Sequence, residues 1–565
     1  MKLILKQYLA SLNERDELDV LVPDLLSQMG LNVYARPIRG ANEYGVDVAA
    51  VGKIDGGIEK VYLFSIKERN LTRQSWCGGS SQDLLPSIHS ILNSYIPHRL
   101  PKEHADKPIV ICLCFGGDVQ TTIRQEVTGF EQQHETESLK FEEWNGDKLS
   151  ELILQYFLKE ELLPKDWQSM LRKSIALLDE PEESHKHFVR LVRKIIKTDT
   201  KDKKNIYRVI NRINICLWVL FSWGRDGNNV ESSYLSAEFC ILNCWDLIRD
   251  SRSTNARKSF DKLLSTYHAI TCEYTEKCLI AHADKKHAIS NAINSPSSID
   301  INLKLFDFMS RLSMCGIWTL LDLQKLNTGK PPIDDAQVNN LEGKLKSIIH
   351  SIKLLIKNNP LLLSPYLDEQ AIDISLAMYL LIQDSENDEF SISWLDEIAK
   401  RSIFSYKTDG MYPSTVSHFR KLLDHREQKS SSYKHSVTKG SILYPILAVF
   451  SALYENEITS NELSNFAEEE LRHCTLQYWY PAQDSETYFY NNIENHGCAT
   501  TGFEMAFDKV LDHVMTECDN SKSFSELSVV KKGLEPIVFL ACRYYRYPLP
   551  IHSLYDFIKF KKVGA

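Results

Sequence analysis

The chain has 565 residues, enough for several domains, with 43% hydrophobic and 25% charged residues, the balance of an ordinary globular protein rather than a disordered or fibrous one. A net charge of −9 excludes a chain that is basic throughout and binds nucleic acid by charge alone, although it leaves room for a local basic patch. The 13 cysteines contain no CxxC pair, and Cys240 and Cys244 have no His or second cysteine pair to complete a zinc set, so reduced, buried thiols in a cytoplasmic protein are expected.

The first residues, MKLILKQYLASLNERDELD, lack the apolar core and small-residue cleavage site of a secretory signal. Helical spacing runs from Leu18 to Met29 and stops at Gly30. Asn32 to Pro37 has the pattern of a strand. Val46 to Val51 and Lys60 to Lys67 form two more, joined by Lys53-Ile54-Asp55-Gly56-Gly57, an Asp-Gly hairpin turn. A loop holding Trp76, Gly78 and Gly79 follows, then a helix from Gln82 to Tyr95. Pro108 to Phe115 is a continuous apolar run and predicts a buried strand. A helix from Thr121 to Gln133, a strand from Lys140 to Trp144 and a helix from Gly146 to Leu158 complete an α/β domain over residues 1–163.

Beyond Pro164 strand patterns nearly vanish. Helices are predicted over Asn205–Trp223, Ser233–Arg249, Asn255–Ala283, Ile301–Leu326, Asp335–Lys357, Ala371–Gln383, Ile442–Tyr454, Ser460–Gln477, Thr501–Glu517 and Leu534–Tyr545. Polar hinges fall at Leu178–Ser184, Asn291–Asp300 and Glu427–Val437, giving an α-helical middle region over 164–300 and an α-helical partner-binding or assembly region over 301–565. The most apolar segment, Ile213 to Trp223, falls well short of the ~20 residues of a membrane span, so no membrane association is expected. Gly329-Lys330 has neither the earlier glycine nor the following hydroxyl of a phosphate loop, which argues against an ATP motor.

Two charges sit oddly in the strands. Asp47 lies in EYGVDVAAV and Lys67 ends VYLFSIK, although a carboxylate and an ammonium are poor strand-interior residues. Residues two apart share a strand face, so Ser65 and Lys67 point the same way and Asp47 meets them across the hairpin. Metal-dependent phosphodiester cleavage uses such parts: carboxylates to hold Mg²⁺ and a cation near the attacking water or the developing phosphate charge. Taken singly, Asp47 also reads as a hydrogen-bonded structural aspartate and Lys67 as an edge-strand residue that discourages aggregation.

With the helix ending LLSQMGL, the strand, NEYGVDVAA, the hairpin strand ending SIK and the late FEEWNGDKLSELI, residues 10–155 resemble the PD-(D/E)xK restriction-endonuclease-like superfamily, most closely its Mrr-like branch. The resemblance implies a restriction-endonuclease-like fold, followed here by a large all-α region. It implies a Mg²⁺- or Mn²⁺-dependent DNA endonuclease, the effector of a prokaryotic anti-phage defence system, with the helical region binding a partner protein or self-assembling. By position Asp47 matches the family's metal-binding aspartate and Lys67 its catalytic lysine. Asp19 falls where the branch carries a helix glutamate, with Glu17 as the neighbouring alternative. The family expects Glu, Asp or Gln where this chain has Ser65, whose hydroxyl is a shorter and weaker ligand; Glu43 is a carboxylate that reaches in from the loop. Arg69 and Arg73 follow as phosphate-gripping cations or as a solvated loop.

Two further readings belong to other classes. The nuclease fold is inactive, with Ser65 as the scar, and serves as a DNA-binding or assembly scaffold. Alternatively Arg420 and His425, in an Arg-x4-His spacing similar to that of HEPN ribonucleases, carry the chemistry. The stretches Gln477–Pro481 and Cys542–Pro548 mix aromatic and basic residues, which suits either an interface or a packed core with capping arginines.

Overall fold

The computed structural model describes residues 6, 9–10, 12–37, 44–54, 57–156, 165–199, 206–327, 335–416, 418–491 and 497–564. Its contacts divide the chain into two units, residues 1–236 and 237–565.

The apolar runs of the first unit become a five-stranded mixed sheet in the order β1-β2-β3-β4-β5, comprising Asn32–Ala35, Val48–Gly52, Lys60–Lys67, Ile109–Phe115 and Leu139–Trp144. β1, β2 and β3 are antiparallel neighbours, with Val48 opposite Phe64 and Val51 opposite Val61. β3, β4 and β5 are parallel, with Val61 opposite Ile109 and Lys67 opposite Phe115. Every residue of β4 is buried, as a strand covered on both faces requires. Leu63, Ile111 and Phe115 belong to one core with Trp76, Leu84, Ile88 and Val127. Phe64 meets Trp144 edge-on at 4.8 Å, and Val22, Leu25 and Leu26 of the helix Asp19–Gln28 are buried.

The segment expected as a loop around Trp76 is a short helix, Arg73–Cys77. Thr72 accepts the Ser75 N–H and Ser75 returns the bond to the Thr72 N–H, a reciprocal cap that starts a helix where composition suggested a turn. Trp76 is a core residue, packed edge-on against Phe130 at 5.9 Å.

From Lys165 onward the chain is almost wholly helical. Lys165–Ala176, Pro181–Asp199 and Asp388–Lys407 add to the predicted helices; proline at the first position of Pro181–Asp199 is compatible with a helix start, because the N–H it lacks has no helical partner there. One small sheet interrupts the helical region: β6 (Gly440–Ser441), β7 (Thr475–Tyr480) and β8 (Cys498–Thr501). The helices expected over Ser460–Gln477 and Thr501–Glu517 are shorter, Glu457–Glu470 and Val510–Asn520. The aromatic run Thr475-Leu476-Gln477-Tyr478-Trp479-Tyr480 instead pairs antiparallel with β8, Trp479 opposite Ala499. Among the described residues no helix is long and apolar enough to cross a membrane.

The two arginines of Cys542–Pro548 hold the second unit together. Arg543, 4% exposed, reaches Glu238 at 2.9 Å and Asp307 at 3.2 Å, and Asp307 also takes Arg311 at 2.6 Å. Burial opposes ionisation of Asp307, but Arg311 and Arg543 hold its carboxyl below the ordinary value. Arg546 ends the helix Pro536–Tyr545 in the left-handed region and pairs with Glu369 at 3.1 Å and Asp373 at 2.8 Å. These are packed ion networks rather than a stacking surface. Truncating one member leaves buried carboxylates facing a void, so Arg543→Ala is expected to cost about 3–5 kcal/mol, read as a lower urea midpoint at unchanged m.

Candidate functional site

The site is built where β2 begins and β3 ends. Gly45 has φ +84°, and a Cβ there would lie 2.1 Å from the Ser87 carbonyl oxygen, so only glycine lets the chain enter β2 beneath the helix Leu84–Ser90. Val46 is buried, and the Asp47 N–H donates to the Phe64 carbonyl at 2.8 Å. The Ile66 N–H then donates to Asp47 Oδ2 at 2.7 Å, so a carboxylate serves an amide at the end of the ladder. A buried N–H requires an acceptor, and a charged one binds it more strongly than a carbonyl. The negative charge reaches the next strand: burial first, and Asp47 second, push the Cys114 thiol above its ordinary value.

Two residues further on, Lys67 ends β3 only 7% exposed. Its Nζ donates to Glu14 Oε2 at 3.2 Å. Glu14 opens the π-turn Glu14–Leu18 that leads into the helix Asp19–Gln28, and its own N–H donates to Glu68 Oε2 at 3.4 Å. The helix entry is thereby tied to both the last residue of β3 and the one after it. Ser65, between Asp47 and Lys67 in this arrangement, is 1% exposed, and its Oγ has no hydrogen-bond partner among the described residues.

The helix carboxylate that meets Lys67 is therefore Glu14, not the expected Asp19 or Glu17. Glu17 accepts the Asn13 N–H at 2.6 Å, serving a donor that the helix start leaves open, and Asp19 is half-buried in the first turn of its helix. No local pattern singles out Glu14, because Asp19, three residues before the buried Val22 and seven before Leu26, lies on the same helical stripe and has a buried carboxylate oxygen. Glu43 lies outside the described residues. Arg69 is exposed and adopts φ +57°, with Nε 3.8 Å from Glu68 Oε1. Its carbonyl accepts the Gly117 N–H at 2.8 Å, while Asn70 Oδ1 accepts the Asp118 N–H at 2.8 Å, which ties the segment after β3 to that after β4. Arg73 is exposed at the first position of the helix Arg73–Cys77. Among the described residues no group of three or more His, Cys, Asp or Glu is placed to hold a metal ion.

The second arrangement raised by the sequence is not assembled. His425 is 1% exposed, with Nδ1 3.1 Å from the Tyr433 hydroxyl and Nε2 3.2 Å from the Tyr412 carbonyl, and burial holds its pKa below the ordinary value. Both ring nitrogens are engaged in packing, while Arg420 is exposed on the same short helix, Phe419–His425.

No family model, no curated protein and no solved structure matches this chain.

The bond between Asp47 and Ile66 makes a stability prediction separable from any activity. Asp47→Ala removes the acceptor of a buried amide and is expected to lose about 1–3 kcal/mol in urea unfolding. Asp47→Asn keeps a side-chain oxygen in place and is expected to retain most of that stability.

Proposed function

We propose that the first unit carries a metal-dependent phosphodiesterase site of the PD-(D/E)xK restriction-endonuclease-like kind, acting on DNA, and that the protein is the effector of a prokaryotic defence system. One observation supports this reading above the others: a lysine is buried at the end of the central strand, held by a helix carboxylate, beside an aspartate on the adjoining strand. Burying the Lys67 ammonium costs desolvation that its attraction to one carboxylate only partly offsets, so its placement supports a chemical use. The mixed sheet is consistent with the fold that the sequence resembles, but a fold alone assigns no chemistry.

The donor set suits Mg²⁺ or Mn²⁺ rather than zinc. Mg²⁺ takes oxygen ligands, keeps several waters and needs only one or two carboxylates. Asp47 and Glu14 are those carboxylates, and Ser65 Oγ is a buried oxygen that a metal-bound water would satisfy. When bound, such a cation polarises a phosphoryl oxygen and lowers the pKa of its water. Lys67 places an ammonium where charge develops on the phosphate, and Glu14 keeps that ammonium oriented. Arg69 and Arg73, both exposed, supply cations to the backbone phosphates on either side.

The absence, among the described residues, of a group of three metal-ligating side chains, with serine where the family carries a carboxylate or amide, favours the other reading, an inactive nuclease fold that binds DNA or scaffolds an assembly. Plasmid cleavage separates the two. On the first reading the wild type nicks DNA with Mg²⁺ or Mn²⁺ and not with EDTA, and Asp47→Asn and Lys67→Met each lower the rate about 10²–10³-fold. Lys67→Met leaves Glu14 without its cation, and because Glu14 is a quarter exposed the variant is expected to lose some stability but remain folded, which urea unfolding run beside the cleavage assay checks. Metal-independent DNA binding without cleavage, together with no loss of phage resistance in cells carrying Lys67→Met, would establish the scaffold instead.

A further inference from the structure

The second unit holds a thiol cluster that the nuclease reading does not use. Cys272 lies near the end of the helix Thr254–Tyr274, Cys315 in the middle of Ser298–Asn327, and Lys344 on Asp335–Asn358. Lys344 Nζ donates to Cys272 Sγ at 2.8 Å. Cys315 Sγ accepts the Thr275 hydroxyl at 3.6 Å, and the same hydroxyl lies 3.1 Å from the Cys272 carbonyl oxygen, which places the two cysteines side by side. Cys315 and Lys344 line a solvent-open cavity of about 420 Å³, with Thr275, Glu276 and Asn339 on its walls. Directly after Cys272 the helix widens into the π-turn Thr275–Ile280, an irregularity common at functional sites. Three helices thus bring two thiols and an ammonium together, with the half-buried Cys272 bonded to Lys344 on the cavity wall.

We propose that Cys272, Cys315 and Lys344 form a peroxide-reactive dithiol, with Cys272 the attacking thiolate, Cys315 the resolving thiol and Lys344 the cation that holds the thiolate in place. The Cys272 sulfur attacks one oxygen of a hydroperoxide. An S–O bond forms, the O–O bond breaks, and the departing oxygen leaves with the bonding pair and takes a proton as water or alcohol. The Cys315 sulfur then attacks the resulting sulfenic acid; the S–S bond forms, the S–O bond breaks, and hydroxide leaves with the Cys315 proton as water. The two thiols lose two electrons and the peroxide gains them, with a second thiol poised to trap the first oxidation step. The product links the helix Thr254–Tyr274 covalently to Ser298–Asn327.

The direction of titration agrees with this arrangement. The hydrogen bond from Cys315 and, against burial, the Lys344 ammonium hold Cys272 below the ordinary thiol value, while Cys315 is held well above it. Nucleophile and resolving group are thereby distinguished by their surroundings.

The test uses the full-length protein, hydrogen peroxide and peptide mass spectrometry after alkylation. One equivalent of peroxide is expected to yield the Cys272–Cys315 linked peptide before the exposed Cys77, Cys278 and Cys498 are oxidised. In Cys315→Ser, dimedone is expected to trap Cys272 as its sulfenic acid. In Lys344→Met the pH midpoint for alkylation of Cys272 is expected to rise by about 1–3 units, which loss of packing alone would not produce. Absence of the linked peptide in the wild type, or alkylation of Cys272 no faster than that of Cys278 and Cys498 at about pH 6.5, two units below an ordinary thiol's midpoint, would overturn the proposal. Both of those readouts need no variant, so a misfolded mutant leaves the test intact.

Discussion

The first unit depends on the hydrogen bonding of β3. This strand is paired on both edges, antiparallel to β2 and parallel to β4, and every residue after Lys60 is buried. A strand in that position has no water to turn to, so its backbone N–H and C=O groups must find partners within the protein. Where the β2 ladder ends, the Asp47 carboxylate supplies the acceptor for Ile66; where β3 ends, Glu14 supplies the counter-ion for Lys67. The candidate site is thus what the sheet requires at the point where its regular pairing stops.

The same requirement explains how distant segments are drawn in. Glu14 is brought to Lys67 because the helix it introduces buries Leu18, Val22, Leu25 and Leu26, and its N–H is then taken by Glu68. The segments after β3 and β4 are tied by bonds from Gly117 to Arg69 and from Asp118 to Asn70, so the loop carrying the exposed Arg69 is anchored on a rigid edge. Site residues held on sheet ends in this way keep their geometry better than residues on unsupported loops.

The second unit solves a different problem with the same means. Its helices bury Glu238 and Asp373 and leave Asp307 partly exposed, and the arginines of a single short segment, Arg543 and Arg546, pair with all three. Such networks restrict which helices fit together, because a shifted register would leave a carboxylate without its cation. The Cys272, Cys315 and Lys344 cluster differs in its chemistry: its cation is bonded to a thiol sulfur rather than a carboxylate, and that cation lines a solvent-open cavity.

Periodicity in the sequence determined the helix before Gly30, the five strands of the sheet and most of the later helices, since apolar spacing is local and survives without knowledge of neighbours. It also marked Asp47 and Lys67, because a charge in an apolar strand is anomalous at short range. Tertiary structure alone decided the rest. Which helix carboxylate reaches Lys67 depended on how the turn into the helix packs against the sheet: Glu14 meets the ammonium, while Glu17 takes the Asn13 N–H. Thr475–Tyr480 became a strand because Gly440–Ser441 and Cys498–Thr501, both remote in sequence, offered it partners. In sequence Arg543 and Arg546 suited either an interface or a packed core with capping arginines, and the second holds because their carboxylate partners come from helices remote in the chain. A side chain's partners are set by packing between segments, which no local pattern records.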